Sequence, residues 1–107
     1  MAPRTRRVIM PTSAKASEFV TIRAIIQHPM ITGHSAEGAN TRPRDIIHTF
    51  SATYGGSEVF RADLMPGIAA NPLVAFKLRA AHTGDIVLTW IDDKGERTTE
   101  TRTLTVT

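Results

Sequence analysis

Along most of this chain apolar and polar residues alternate one by one, the period of a strand rather than the 3.6-residue period of a helix. Between Glu18 and Ile26, the positions Val20, Ile22, Ala24 and Ile26 share one face. Ile46, His48, Phe50, Ala52 and Tyr54 share the next, with Thr49, Ser51 and Thr53 opposite. Gly55-Gly56 turns the chain, and Phe60, Ala62 and Leu64 then alternate with Arg61 and Asp63. Val74, Phe76, Leu78 and Ala80 form a fourth run with Lys77 and Arg79 outward. Ile86, Leu88 and Trp90 form a fifth, entered through Thr83-Gly84-Asp85, which reads as a hairpin. Asp92-Asp93-Lys94-Gly95 reads as an ordinary turn, and Thr98 to Thr107 closes the chain with Leu104 and Val106 inward. Val8 to Met10 supplies a short opening strand.

These runs predict an all-β protein of about seven antiparallel strands, an immunoglobulin-like β-sandwich, with no convincing helix. Trp90, Phe50, Phe60 and Phe76 are the expected core anchors, and His48 and His82 fall in strand patterns as structural residues. Residues 1–107 read as one domain, with residues 1–6 expected to be flexible. Two connections break the pattern. Residues 29–44 run through Gly33, Gly38, Asn40 and Pro43 without apolar periodicity, and Met65 to Pro72 joins two strands with two prolines. Long irregular loops in a compact domain commonly carry function.

Composition narrows the chemistry. The chain has no cysteine, which removes disulfides, thiolate catalysis and zinc-thiolate or iron–sulfur ligation within it. The net charge is only +3, although Arg4, Arg6, Arg7 and Lys15 crowd the first segment. No nucleic-acid-binding signature accompanies these cations, so they read as solvated charge and no nucleic-acid partner is expected. No stretch approaches the roughly 20 apolar residues of a membrane span, and no membrane partner is expected. Arg6-Arg7 faintly suggests a twin-arginine signal, but Pro11 to Lys15 interrupts the apolar run that export requires. Export of this chain by itself is therefore not expected.

His28, Met30 and His34 lie within seven positions, and imidazole with thioether suits Cu(I). A copper carrier is thus one reading, with Met10 and Met65 as further ligands. A hydrogen-bonded strand end is the other, and the metal assignment is none. No phosphate loop, nucleophile elbow or paired-carboxylate motif appears, so no catalytic residue and no cofactor are assigned. Some apolar residues fall on the solvent side of their strands: Phe19, Ile25, Ile47 and Ile91. Phe19, Ile25 and Ile47, with Arg23 as a rim charge, are assigned to a partner-facing sheet. A loop covering that sheet would equally explain them.

Several segments carry a resemblance when taken in order. They are His28-Pro29-Met30 with the Gly33 loop, Pro43-Arg44-Asp45-Ile46-Ile47, and Tyr54 with its glycine turn. Ala69-Ala70-Asn71-Pro72 and Thr89-Trp90 leading into Asp92-Asp93-Lys94-Gly95 complete the set. From about Arg7 onward the chain resembles the SoxZ family, the cysteine-free subunits of the SoxYZ sulfur carrier in thiosulfate oxidation. The resemblance implies a non-catalytic scaffold that binds a SoxY subunit as a heterodimer and makes transient contacts with Sox pathway enzymes. Sulfur intermediates would ride on the partner's cysteine, on a flexible arm, and not on this chain. It also implies a bacterial periplasmic location, with export alongside a signal-bearing partner. His28, Met30, Arg42 and Arg44 are then assigned to a loop meeting the partner or a client enzyme. An interface built for a similar sandwich could also pair with a second copy when the partner is absent. The alternatives are a periplasmic copper carrier and a SoxYZ-like subunit serving a dehydrogenase of another pathway.

Overall fold

A computed structural model describes residues 5–31, 44–65, 68 and 70–107. Eight strands form in chain order: β1 (Arg6–Ile9), β2 (Ser13–Ala14), β3 (Phe19–Ile26), β4 (Ile47–Tyr54), β5 (Ser57–Asp63), β6 (Leu73–Arg79), β7 (Gly84–Asp92) and β8 (Arg97–Val106). They build a three-stranded sheet, β1-β3-β6, and a five-stranded sheet, β2-β8-β7-β4-β5. The core lies between the two sheets, as alternation requires when each sheet buries one face. The immunoglobulin-like sandwich expected from the sequence is thus the observed fold.

The inward residues of β3 are Val20, Ile22, Ala24 and Ile26, all buried, while Phe19 and Arg23 are exposed. From the opposite sheet Phe50 and Trp90 are fully enclosed, with ring centroids 5.3 Å apart. Phe60 stacks on Phe76 at 4.7 Å, and both lie 6.1 Å from Phe50. Burying side chains of this size stabilises by about 1.5–3 kcal/mol each. The four predicted anchors therefore meet across the sheets as one aromatic cluster.

Local detail departs from the simple alternation in four places. An eighth strand exists because the chain changes sheets after Pro11: Ser13 and Ala14 pair with Thr105 and Val106, in parallel. The segment Thr83-Gly84-Asp85 is not a hairpin, since β6 and β7 belong to different sheets and this stretch crosses between them. Thr83 anchors the crossing, its Oγ1 donating to the Val106 carbonyl and accepting from the Val106 amide. His82 belongs to that crossing and not to a strand, and its ring stacks on Tyr54 at 4.5 Å. Finally, Arg6 is not part of a flexible tail. It opens β1, and the Thr5 carbonyl beside it accepts the Gln27 amide. Residues 1–4 of the segment expected to be flexible lie outside the described residues.

Two turns match their sequence signals. Gly55 and Gly56 both take positive φ, 59° and 87°, as a two-residue hairpin turn between β4 and β5 demands. A Cβ on Gly55 would lie 2.6 Å from the His82 ring, so a side chain there is penalised by space as well as by backbone angle. Gly95, at φ 79°, closes the β7–β8 hairpin.

Candidate interaction surface

The three-stranded sheet turns one face away from the core. Its outward residues are Arg7 and Ile9 on β1, Phe19, Thr21, Arg23 and Ile25 on β3, and Leu73, Ala75, Lys77 and Arg79 on β6. Antiparallel register sets them in rows. Arg7, Ile25 and Leu73 stand side by side, as do Ile9, Arg23 and Ala75. Thr21 sits beside Lys77, and Phe19 beside Arg79. Each row thus carries one cation, and apolar side chains are interleaved with charge along the face. Phe19 is 67% exposed, Leu73 57% and Ile9 41%. Burial of Ile25 is only partial.

No acidic residue occupies any outward position of these three strands. Among the described residues the four cations Arg7, Arg23, Lys77 and Arg79 enter no ion pair; Arg79 donates only to the Ser17 hydroxyl, at 3.3 Å. Several cations elsewhere are partnered. Arg6, pointing the other way from Arg7, bonds Glu100 of β8 at 3.0 Å and so links the two sheets at their open edge. Arg102 meets the same carboxylate at 3.1 Å. Arg61 lies near Glu58 and Asp63.

Phe19, Arg23 and Ile25 therefore share one outward face as the sequence suggested. Ile47 does not: it is 1% exposed. A register shift between Ile47 and Thr49 in the β4–β7 pairing breaks the two-residue period, so Ile46 and Ile47 are both enclosed. Ile91 is half-buried on the five-stranded sheet, away from the cationic face.

The other group of assigned residues is divided by the structure. His34 and Arg42 lie outside the described residues. His28 and Met30 are buried, 1% and 5% exposed, and cannot offer side chains to a client protein. Arg44 is exposed but held: its Nε and Nη2 each donate to Asp93 at 2.8 Å. That bidentate contact holds the Asp93 carboxyl below the usual carboxylate range, with the Ile46 amide adding a further bond at 3.1 Å. Asp93 in turn raises the Arg44 guanidinium, chiefly through the same hydrogen bonds.

His28 has a different task. Its backbone exchanges hydrogen bonds with Asn71: the His28 amide donates to Asn71 Oδ1 at 2.9 Å, and the Asn71 amide donates to the His28 carbonyl at 2.8 Å. The Met30 amide donates to His28 Nδ1 at 3.0 Å, which folds Met30 into a left-handed backbone with φ 52°. The Met30 thioether points inward and accepts the Ile47 amide at 3.2 Å. His28 Nε2 faces Asp45 Oδ1 at 3.5 Å and Asp92 Oδ2 at 3.6 Å. Both carboxylates are buried, so Asp92 is more than a turn residue. Its Oδ1 accepts the Lys94 and Glu96 amides at 3.0 and 2.9 Å, and Lys94 Nζ approaches Asp45 Oδ2 at 3.4 Å.

One atom each from His28, Asp45 and Asp92 lies within 4.8 Å of the others, a grouping that could hold a cation. The imidazole argues for a proton instead. Because Nδ1 accepts an amide, the ring proton of the neutral side chain sits on Nε2, aimed at the two carboxylates. A metal-ligating histidine offers a bare nitrogen to the ion and donates from the other, the reverse of this arrangement. The copper set fares similarly. Met30 sulfur takes the Ile47 amide, while His28 Nε2 faces carboxylates. His28, Asp45 and Asp92 form a clamp joining the end of β3, the approach to β4 and the end of β7. Asp92 carried a signal in its turn motif, but nothing in the sequence marked Asp45 as its companion.

Comparisons with solved structures place the fold. SoxY, the sulfur carrier protein of Chlorobium limicola f thiosulfatophilum, is similar with a TM-score of 0.68 at 18% identity, over 95% of this chain and 78% of that one. A superoxide reductase (neelaredoxin) of Ignicoccus hospitalis gives 0.73 at 16% identity, over 98% and 82%. The PKD domain of an M14-like peptidase from a Thermoplasmatales archaeon gives 0.55 at 14% identity, covering 97% of each chain. At such identities the likeness is one of fold alone. A comparison with curated protein sequences finds no match. The family comparison is decisive: the profile described as sulphur oxidation protein SoxZ matches residues 8–103, and the chain belongs to the SoxZ family.

Proposed function

We propose that this chain is the non-catalytic scaffold subunit of a Sox sulfur-carrier complex, which pairs with a SoxY subunit and helps present sulfur carried on that partner to the enzymes of thiosulfate oxidation. The family match carries this reading. Two features of the molecule support it. The chain contains no cysteine, so a covalently carried sulfur must sit on another chain. Its three-stranded sheet leaves apolar side chains exposed beside cations that enter no ion pair among the described residues, a composition suited to an interface. Without a thiol of its own, a scaffold held close to a loaded persulfide would not attack it by exchange. Work in the periplasm, after export together with a signal-bearing partner, belongs to the same proposal, as do transient contacts with pathway enzymes.

The test is native purification from cells grown on thiosulfate, by size exclusion followed by intact-mass spectrometry. The expected result is co-elution with a second small subunit that bears sulfur adducts, while this chain keeps its unmodified mass. Elution alone with stoichiometric copper would sink the proposal, as would a partner free of sulfur adducts.

A further inference from the structure

We infer that the outer face of β1-β3-β6 recognises its partner by charge as well as by apolar contact: it takes a protein surface on which carboxylates are interleaved with apolar side chains, and it discriminates against a second copy of this chain. The inference rests on the proposal that the partner is a SoxY subunit, and it names the chemistry that subunit must present.

The argument starts from pairing. Arg6, Arg44, Arg61 and Arg102 each lie within 4 Å of a carboxylate. Among the described residues Arg7, Arg23, Lys77 and Arg79 have no carboxylate on their face, because none of the outward positions of β1, β3 and β6 is acidic. Unneutralised cations on adjoining strands repel one another in the free chain, and an opposing row of carboxylates relieves that repulsion on docking. Arg23 lies in the middle strand between Ile9 and Ala75, one row from Ile25 and Leu73. A partner that buries Ile9, Ile25 and Leu73 therefore covers Arg23 too, and an uncompensated charge there would be costly.

The same geometry disfavours self-pairing through this face. A two-fold contact would bring the cationic face of one copy against the same face of the other, with no acid at any outward position of the described strands. Like charges across an interface cost enough to select against the wrong partner. The isolated chain should then stay monomeric at low salt, although its face is partly apolar.

The experiment mixes the purified chain with a SoxY subunit from the same organism and follows association by stopped flow at about 20 and 500 mM NaCl. Wild-type association should slow about tenfold or more on raising salt, and Arg23→Glu with Lys77→Glu should slow it about tenfold or more at low salt. Thr99→Glu on the opposite sheet face serves as the control, and it should change the rate by less than about twofold. Circular dichroism verifies that each variant folds. Equal association of wild type and the double variant overturns the inference while leaving the SoxY pairing intact. An equal effect from Thr99→Glu, or a dimer of the isolated chain at low salt that Arg23→Glu abolishes, overturns it as well. Failure of the wild-type chain to bind SoxY at either salt overturns the functional proposal itself.

Discussion

The outer face of the three-stranded sheet and the His28 clamp both concentrate charge, and the contrast between them separates binding from folding. On the outer face four cations are exposed with no carboxylate partner among the described residues, interleaved with exposed Phe19 and Leu73. In the clamp one imidazole and two carboxylates are buried together, each engaged by backbone amides, a lysine or one another. Surface charge is cheap to keep in water and gains its value when a partner arrives. Buried charge is tolerable only when its partners are already in place. The two regions should therefore respond to mutation in opposite ways: one in affinity, the other in stability.

The largest effect is expected in the clamp. His28→Phe keeps an aromatic ring but removes the Nε2 proton donor from Asp45 and Asp92 and the Nδ1 acceptor from the Met30 amide. Leaving the buried Met30 amide without its acceptor costs about 1–3 kcal/mol, and losing the Nε2–H that faces two buried carboxylates adds to it, so urea unfolding should show a loss of about 2–4 kcal/mol. Affinity for the partner, measured where the variant is still folded, should change little. A variant as stable as wild type would break the comparison at this end.

Leu73→Asp probes the other end. Leu73 is 57% exposed beside Ile25, and a carboxylate there should leave stability within about 0.5 kcal/mol. Partner affinity should fall by about 10- to 100-fold, the range of an anchor lost from an interface. Calorimetric titration measures it, and unaltered affinity would remove this face from consideration. Gly55→Ala then sharpens the picture from a third place. Its left-handed φ and the His82 ring should together cost about 1–2 kcal/mol in unfolding, with partner affinity unchanged.

The same contrast explains what could be read from the chain alone. Alternation revealed the outward set Phe19, Arg23 and Ile25, because a regular strand assigns faces by parity and β3 has no irregularity. Lys77 and Arg79 were visible as outward for the same reason, and the glycine pair at 55 and 56 named its own turn. Ile47 was misplaced because parity fails at a bulge, and the bulge arises only when β4 meets β7. The crossing at Thr83 looked like a hairpin because sheet membership is a tertiary property. His28 and Asp92 each drew notice, but as a loop residue and a turn residue. Their meeting with Asp45 depends on three segments far apart in sequence, and no local pattern encodes it.

Asp93 sits beside the clamp but in partial contact with water, and it supplies the smallest and most diagnostic effect. Its carboxyl is held below the ordinary value of 3.8, first by the Arg44 hydrogen bonds. A carboxyl with a lowered folded-state value favours the folded chain when ionised, so its contribution is complete above about pH 4 and disappears as pH falls through the folded value. Asp93→Asn removes the ionisable group and most of the attraction to Arg44. Wild type should exceed the variant in stability at neutral pH by a small margin, and the two should converge in acid. Urea midpoints measured between about pH 2 and 7 would show this. A gap that persists unchanged at the acid end would mean that Arg44–Asp93 acts by shape alone, and that the exposed ion pair adds no electrostatic support to the neighbouring clamp.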